Sequence, residues 1–379
     1  MQFMFTIPGI IHFGEGVSEN VGQVALDLGA KKVICIYDQG IRNVAEKIVK
    51  TIKDTGLEVL EYDRVLPNPP DYIVEEAAKL AREADVEAII AIGGGSPIDT
   101  AKGVKVLLAN PSPINQYAGI NTVKNPTKPL IAIPTTAGTG SEVTIFAIIT
   151  EPENTRKIAV GGRFVSPEVA IVDPLLTVGM PPAVTAATGM DALTHAIEAY
   201  TSKGASVPSD INALKAITLI TENIVEATFN GQNIEARANM LLGSLLAGVA
   251  FNNAMVGLAH SIAHPLSAHC GMAHGEANAA VLVYVMEYNA AVVPERTIDI
   301  GAAMGLDLRD LPQAAAVKKV TNAVQELSKK VKIPTLKEAG VSKSVLETIA
   351  EDALKEVPTA FNPRTPTKED IMNILEKAY

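Results

Sequence analysis

The stretch FNNAMVGLAHSIAHPLSAHCGMAHGEANAAVL, residues 251–282, contains four of the six histidines in this chain of 379 residues. His260 and His264 are four residues apart, so on a helix their side chains lie on one face, one turn apart. His274 follows beyond a proline, which can bend or end a helix, and a glycine, which can turn the chain back. The spacing therefore predicts that a histidine of a second segment faces the first pair.

A second segment, TGMDALTHAIEAY, carries Asp191 and His195, again four residues apart. Together with His260 and His274 they offer one carboxylate and three imidazoles, a donor set that suits a divalent transition ion such as Fe²⁺ or Zn²⁺. A single buried histidine is more often a core residue with satisfied polar atoms. Two such clusters in one chain favour a metal site.

Composition limits the class of protein. The chain is 47% hydrophobic and 20% charged, as in ordinary soluble proteins, and its length predicts two domains. A net charge of −10 with scattered lysines and arginines argues against nucleic acid as a partner. We found no apolar run of membrane-spanning length and no basic start of a signal peptide, so no membrane partner is expected. The two cysteines indicate no disulfide framework and predict a cytoplasmic location.

The first half of the chain alternates strand and helix patterns, which predicts a parallel sheet with right-handed crossovers. Asp71 is the expected N-cap of one of these helices. The segment at residues 144–161, TIFAIITEPENTRKIAVG, predicts a β-hairpin. An alanine-rich helical region follows. The predicted architecture is a Rossmann-like α/β dinucleotide-binding domain over residues 1–180 and an all-α metal-binding domain over residues 181–379. The segments expected to form the parallel strands are KKVICIYD, LEVLEYDRV, VEAIIAIGGGS and KPLIAIP.

A glycine-rich turn joins one predicted strand to a helix. Gly94 and Gly95 let backbone N–H groups approach a phosphate closely. Ser96 suits the N-cap of that helix, and Asp99 suits the acidic position of a capping box. A well-capped helix after a tight turn explains the same residues, because the segment is not the G-x-G-x-x-G of a Rossmann fold.

Two further segments offer polar contacts to a dinucleotide. Asp38 ends a predicted strand, where an acid can accept hydrogen bonds from the adenosine ribose and repel a 2′-phosphate. It is equally suited to a turn. In PTTAGTGSE, residues 134–142, the side chains of Thr135, Thr136 and Ser141 can hydrogen-bond the nicotinamide ribose and the phosphates, although the bare pattern is only a polar loop.

The motifs GMDALTHAIE, GLAHSIAHPL and MAHGEANAAVL, with GGGSPIDTAK and PTTAGTGSE, resemble the iron-containing (group III) alcohol dehydrogenases along nearly the whole chain. The resemblance implies the fold that this family shares with dehydroquinate synthase. It implies metal ligation by Asp191, His195, His260 and His274. It places His264 beside the metal and the nicotinamide as a proton relay rather than a ligand.

The resemblance also implies the cofactor contacts. GGGSPIDTAK matches the family's pyrophosphate-binding loop, and the acid at Asp38 marks NAD rather than NADP. Asn68 and Lys157 match positions near the cofactor, although by themselves they would be a turn residue and a surface charge. The residues expected to bind NAD are Asp38, Asn68, Gly94, Gly95, Ser96, Asp99, Thr135, Thr136, Ser141 and Lys157.

The implied activity is a metal-dependent and NAD-dependent interconversion of alcohols and aldehydes by hydride transfer, in a homodimer or higher homo-oligomer. Phe146 and Phe251 are expected to line the substrate pocket. Diol-handling relatives tend to carry a polar residue near Phe146, and this difference favours short primary alcohols. The alternatives are a dehydrogenase of 1,3-propanediol, of lactaldehyde and 1,2-propanediol, or of glycerol, and a non-catalytic nucleotide-binding or metal-binding relative. Dehydroquinate synthase would need lysines and arginines that the histidine-rich stretch lacks.

Overall fold

The computed structural model describes residues 2–7 and 9–379, which divide into two units. The N-terminal unit comprises Ile7–Thr136 and Gly140–Gly179. The C-terminal unit comprises Met1–Thr6, Ala137–Thr139 and Met180–Tyr379. The main division therefore falls between Gly179 and Met180, where the sequence analysis placed the boundary after residue 180. The short segment within PTTAGTGSE is grouped with the C-terminal unit, which the sequence pattern did not indicate.

The N-terminal unit is built on a six-stranded sheet of order β1-β9-β6-β4-β2-β3, in which every neighbouring pair is parallel. This confirms the predicted parallel sheet. The strands of the unit, including those of a second, smaller sheet, are β1 (Ile10–Phe13), β2 (Lys32–Ile36), β3 (Glu58–Tyr62), β4 (Ala88–Gly93), β5 (Gly119–Ile120), β6 (Leu130–Pro134), β7 (Phe146–Glu151), β8 (Arg156–Gly161) and β9 (Val169–Val172). Its helices are α1 (Val21–Asp27), α2 (Arg42–Asp54), α3 (Asp71–Glu83) and α4 (Gly95–Ala109).

Helices cover both faces of this sheet, so its central strands are apolar throughout. Strand β4, AIIAIG, is buried at every position. In β2, Ile34 and Ile36 join a core cluster with residues of α3 and α4, whereas Val33 and Cys35 join a second cluster with residues of α1 and α2. The two-residue period of a strand thus divides one short segment between two cores.

A three-stranded sheet of order β5-β8-β7 adjoins the parallel one within this unit. Strands β7 and β8 pair antiparallel from Phe146 opposite Gly161 to Glu151 opposite Arg156. The predicted β-hairpin is therefore confirmed. The ring of Phe146 covers Gly161, because a Cβ added to that glycine would lie 2.7 Å from the Cδ1 atom of Phe146.

In the C-terminal unit, helices predominate from residue 182 onward, as the alanine-rich pattern predicted. The helices are α5 (Pro182–Thr201), α6 (Val207–Phe229), α7 (Ile234–Ala254), α8 (Leu258–Cys270), α9 (His274–Asn289), α10 (Pro294–Ala303), α11 (Gln313–Lys330), α12 (Leu346–Ala353) and α13 (Lys368–Ala378). Among the residues described, α7 alone is long and apolar enough to cross a membrane by length and composition, although the sequence analysis found no run of that kind. Its apolar window is 61% buried in the protein, as in a core helix.

Two local predictions about helix starts were wrong. Asp71 is the first residue of α3 and follows an extended Pro70, so it is not the N-cap. Ser96 lies inside α4, whose N-cap is an extended Gly94 with no side chain to bond the first amides. Pro265 lies inside α8 without ending it. Burial of the apolar residues of α8 outweighs the roughly 3 kcal/mol cost of an interior proline. Gly271, with φ of 67°, ends that helix as predicted.

Candidate active site

Three helices of the C-terminal unit present the predicted metal ligands. Asp191 and His195 project from one face of α5, a helix buried along most of its length. His260 lies in the first turn of α8. His274 is the first residue of α9, and the left-handed turn at Gly271 leads the chain from α8 into that helix.

These four side chains lie close together. One ligand atom from each of Asp191, His195 and His260 lies within 4.8 Å of the others. The Nε2 atoms of His260 and His274 are each 3.9 Å from Oδ1 of Asp191. The ring centroid of His260 is 4.5 Å from that of His195 and 5.4 Å from that of His274. One carboxylate and three imidazoles are therefore arranged around a common centre.

The state of His195 fits a metal ligand. Burial lowers the pKa of His195 to about 4, so the imidazole is neutral, which is the form that binds metal ions. Its Nδ1 atom is buried and has no hydrogen-bond partner among the described residues. Leaving such an atom unsatisfied costs about 1–3 kcal/mol. The backbone of Gly138 also acts on this imidazole, and a cation bound by these residues would add a further partner.

Glu198 also contacts this cluster, although the sequence did not single it out. Its Oε1 atom accepts a hydrogen bond from the backbone N–H of Ala259 at 2.6 Å, and its Oε2 atom lies 2.5 Å from Nδ1 of His260. Burial raises the pKa of Glu198 to about 7. In its ionised form Glu198 can only accept, which keeps the proton of His260 on Nδ1 and makes Nε2 the unprotonated nitrogen that metal binding requires. The available signal was its position three residues after His195.

Asn278 was also missed. It is fully buried on α9, one turn beyond His274, and its Nδ2 atom donates to Oδ1 of Asp191 at 2.7 Å. The same nitrogen is 3.2 Å from Nε2 of His274. Asn278 therefore connects predicted ligands from two helices. Its spacing of four residues from a ligand histidine was the signal in the sequence.

The other two predicted residues of this unit contact the cluster from its sides. The ring centroid of His264 is 5.5 Å from that of His274 and 6.3 Å from that of His260. Its Nδ1 atom pairs with Oε2 of Glu356 at 2.7 Å. The ring of Phe251 stacks on His195, with centroids 4.3 Å apart and planes 16° from parallel.

In the N-terminal unit, the two predicted cofactor loops begin at the same edge of the sheet. Strands β4 and β6 are adjacent, and Gly93 at the end of one lies opposite Pro134 at the end of the other. Gly93 has φ of 146°, which favours glycine. A Cβ on Gly94 would lie 3.1 Å from Oγ1 of Thr136, so the loops are in contact. Carboxyl ends of parallel strands are the usual ligand site of such sheets.

A buried network joins these loops to the hairpin. The Ser141 hydroxyl donates to Oδ1 of Asp99 at 2.6 Å, and the backbone N–H of Ile148 donates to Oδ2 at 3.0 Å. Lys102 donates to the hydroxyls of Ser141 at 2.8 Å and Thr144 at 3.0 Å. Burial lowers the pKa of Lys102 to about 8. Asp99 and Ser141 therefore bind each other and fix the shape of the loop.

Three other predicted cofactor residues occupy turns and the hairpin. The Lys157 ammonium donates to Oδ1 of Asn68 at 2.9 Å, so the structure pairs these two residues. Asn68 has φ of 49°, as suits a turn. Oδ1 of Asp38 accepts from the N–H of Gly40 at 2.8 Å, at the turn after β2.

Two polar groups in PTTAGTGSE remain unsatisfied within the described residues. Oγ1 of Thr135 and Oε1 of Glu142 are buried without hydrogen-bond partners. Burial also raises the pKa of Glu142 to about 7. The sequence analysis missed Glu142, although it ends the quoted motif.

Comparison with known proteins covers both halves of the chain. Residues 8–174 match the family model of iron-containing alcohol dehydrogenases. Residues 185–379 match the C-terminal model of the Fe-containing alcohol dehydrogenase family.

Individual relatives match this chain over nearly its full length. The 1,3-propanediol dehydrogenase of Klebsiella pneumoniae is 40% identical, over 100% of this chain and 99% of the relative. The NAD-dependent methanol dehydrogenase of Bacillus methanolicus is 39% identical, over 99% of each chain. A crystal structure of a 1,3-propanediol oxidoreductase superposes with a TM-score of 0.98 at 39% identity, covering 100% of both chains. With this agreement of sequence and fold, the chain belongs to the iron-containing alcohol dehydrogenase family and is an alcohol oxidoreductase.

Proposed function

We propose that this enzyme interconverts short primary alcohols and their aldehydes, using NAD and an iron ion, and prefers them to diols. The observation that carries the preference is the stacking of Phe251 on His195. An aromatic ring against a metal ligand offers apolar surface to an alkyl chain, and it has nothing to pair with a second hydroxyl. Phe146, the other expected pocket residue, packs on Gly161, so Phe251 is the stronger support.

In this proposal Asp191, His195, His260 and His274 hold the metal. When bound there, a divalent iron ion supplies a Lewis acid to the alcohol oxygen, and NAD supplies the hydride acceptor. Asp191 contributes the negative charge of the donor set. Fe²⁺ is proposed over Zn²⁺ on the basis of the family, and metal analysis of anaerobically purified protein is the test.

The chain's own residues supply orientation and proton transfer. Glu198 holds the proton of His260 on Nδ1, so that Nε2 is the unprotonated ligand atom. His264 is the proposed proton relay, because alcohol oxidation releases a proton as well as a hydride, and this imidazole lies beside the ligand cluster.

In the N-terminal unit, we propose that the backbone amides at the start of α4 bind the NAD phosphates. The N-cap, Gly94, offers those amides no side-chain acceptor, and their positive dipole favours an anion. The other predicted cofactor residues complete this site in the proposal. NAD is the coenzyme in the name of the methanol dehydrogenase relative. A cytoplasmic location remains part of the proposal and rests on cysteine content alone.

The test of substrate class is kcat/KM for 1-butanol against 1,3-propanediol and 1,2-propanediol. We expect kcat/KM for 1-butanol to exceed that for either diol by roughly tenfold, which is the order of discrimination that an apolar pocket achieves. Phe251→Asn should reduce that lead. Phe229→Asn is the matched control, because Phe229 is 54% exposed at the end of α6. A preference for either diol in the wild-type enzyme contradicts the proposal.

The second candidate is 1,3-propanediol oxidation. Its support is the name of the Klebsiella pneumoniae relative, which matches over the full length. The same panel distinguishes the two, since this candidate requires 1,3-propanediol to lead.

A further inference from the structure

His264 pairs with a carboxylate that comes late in the chain. Nδ1 of His264 lies 2.7 Å from Oε2 of Glu356. The His264 side chain is 12% exposed and that of Glu356 is 23% exposed. The same imidazole stacks near His274, with ring centroids 5.5 Å apart. It therefore contacts the ligand cluster with one part and a partly solvated acid with another.

The position of Glu356 is fixed by the chain that follows it. Glu356 immediately precedes a short 3-10 turn, Val357–Phe361. In this turn the Thr359 hydroxyl lies 2.8 Å from the Ser261 hydroxyl of α8 and donates to the carbonyl of Ala353 at 2.7 Å. This segment is thus bonded to the helix that carries His264, independently of the His264–Glu356 pair.

We propose that Glu356 is a positioning residue that sets the tautomer and ring orientation of His264. A carboxylate can only accept hydrogen bonds, so its contact with Nδ1 requires the proton of the neutral imidazole on Nδ1. Nε2 is then the nitrogen with a free lone pair. Without this bond both tautomers and both ring orientations become accessible, and only some of them present an accepting nitrogen correctly. The inference rests on the proposed role of His264 as proton relay.

Helix α8 also provides a matched control pair. His269 lies 2.9 Å from Asp352 through Nε2 and Oδ2, and both side chains are more exposed, at 25% and 34%. Asp352 also binds Lys355 at 2.8 Å. Asp352→Asn therefore makes the same chemical change, carboxylate to amide, at a histidine pair that the proposed function does not use.

The tautomer is tested directly by ¹⁵N spectra of histidine-labelled, metal-free protein, with the His264 signals assigned by their loss in His264→Ala. We expect a single Nδ1–H tautomer in the wild type and in Glu356→Asp, which keeps the accepting charge. Glu356→Gln should give a mixture, because an amide both donates and accepts. Asp352→Asn should leave the His264 signals unchanged. An unchanged His264 tautomer in Glu356→Gln overturns the proposal.

Kinetics of the iron-loaded enzyme test the consequence. Glu356→Gln should lower kcat by roughly tenfold, with iron content retained and KM little changed. Adding Glu356→Gln to His264→Ala should cause no further loss, because the two residues act as one unit. A full additional loss in the double variant means that Glu356 acts elsewhere and overturns the inference. If His264→Ala itself retains full kcat, the relay in the proposed function fails, whereas the spectra still decide whether Glu356 orients this histidine.

Discussion

At the scale of single residues, the ligand set makes a direct prediction. His260→Ala should lose most bound iron and most activity, because it removes one of the four proposed ligand side chains. Helix α8 should survive, since alanine is a good helix former. His269→Ala is the control on the same helix, where the histidine pairs with Asp352 instead. Iron content, turnover and helical circular dichroism are the measurements. Full iron content and turnover in His260→Ala would show that the ligand assignment is wrong.

Glu142 makes a prediction about pH. Burial raises its pKa from 4.5 to about 7, so between these values the folded state holds a proton that the unfolded state has released. The free energy of unfolding therefore loses this contribution as pH rises from 4.5 to 7. Glu142→Gln cannot titrate. We compare the free energy of unfolding of the variant with that of the wild type at the same pH. This difference should shift in favour of the variant by roughly 2–3 kcal/mol when the pH is raised from acidic to mildly alkaline. Denaturant midpoints at both pH values measure this, and a pH-independent difference would contradict it.

The residues that sequence reasoning missed share a physical property: their chemistry depends on partners distant in the chain. Glu198 contacts Ala259 and His260, and Asn278 contacts Asp191. Residue type and helical spacing placed the predicted ligands together, because imidazoles and carboxylates are unusual on buried faces. Glu198 also carries a carboxylate, but whether it faces a metal or a histidine depends on the neighbouring helix, and the neutral amide of Asn278 has no charge to mark it.

At the scale of elements, Asp38 has a structural role in a turn and a proposed role in the choice between NAD and NADP. Its carboxylate caps the turn after β2 through Gly40 and is proposed to repel a 2′-phosphate. Asp38→Asn keeps an acceptor for the cap and removes the charge, whereas Asp38→Gly removes both. Both variants should improve kcat/KM for NADP relative to NAD by about ten- to a hundredfold, or roughly 1–3 kcal/mol. Only Asp38→Gly should also lower the melting temperature. A wild-type preference for NADP would contradict the prediction.

Element type followed from the sequence more reliably than element ends. Apolar runs bounded by glycines gave the buried strands, and β7 with β8 formed the expected hairpin. The errors at Asp71 and Ser96 arose because tertiary packing and neighbouring backbone geometry decide where a helix begins. At Ser96 the error bears on function, since an uncapped helix start leaves amides for a ligand.

At the scale of the whole molecule, the alternation of patterns predicted a parallel sheet, but it could not predict the order of its strands. Strand β1 from the start of the chain pairs with β9, more than a hundred residues later. Pairings of this kind depend on which faces the helices cover, and no local pattern encodes that. The short segment Ala137–Thr139 likewise belongs with the C-terminal unit through contacts that its sequence does not reveal.

The last prediction concerns β1, the strand at one edge of the parallel sheet. Within the described residues β1 pairs only with β9, so its other edge is open, and it carries Ile10 and Phe13 at 61% and 38% exposure. An open apolar edge strand favours pairing with another strand. We propose that a second copy of this chain covers it, because like edges can pair about a two-fold axis. Ile10→Lys should shift the sedimentation coefficient toward the monomer, whereas Ile211→Lys, at a residue 65% exposed on α6, should not. An oligomer unchanged by Ile10→Lys would place the interface on another surface, and a monomeric wild type would exclude self-association altogether.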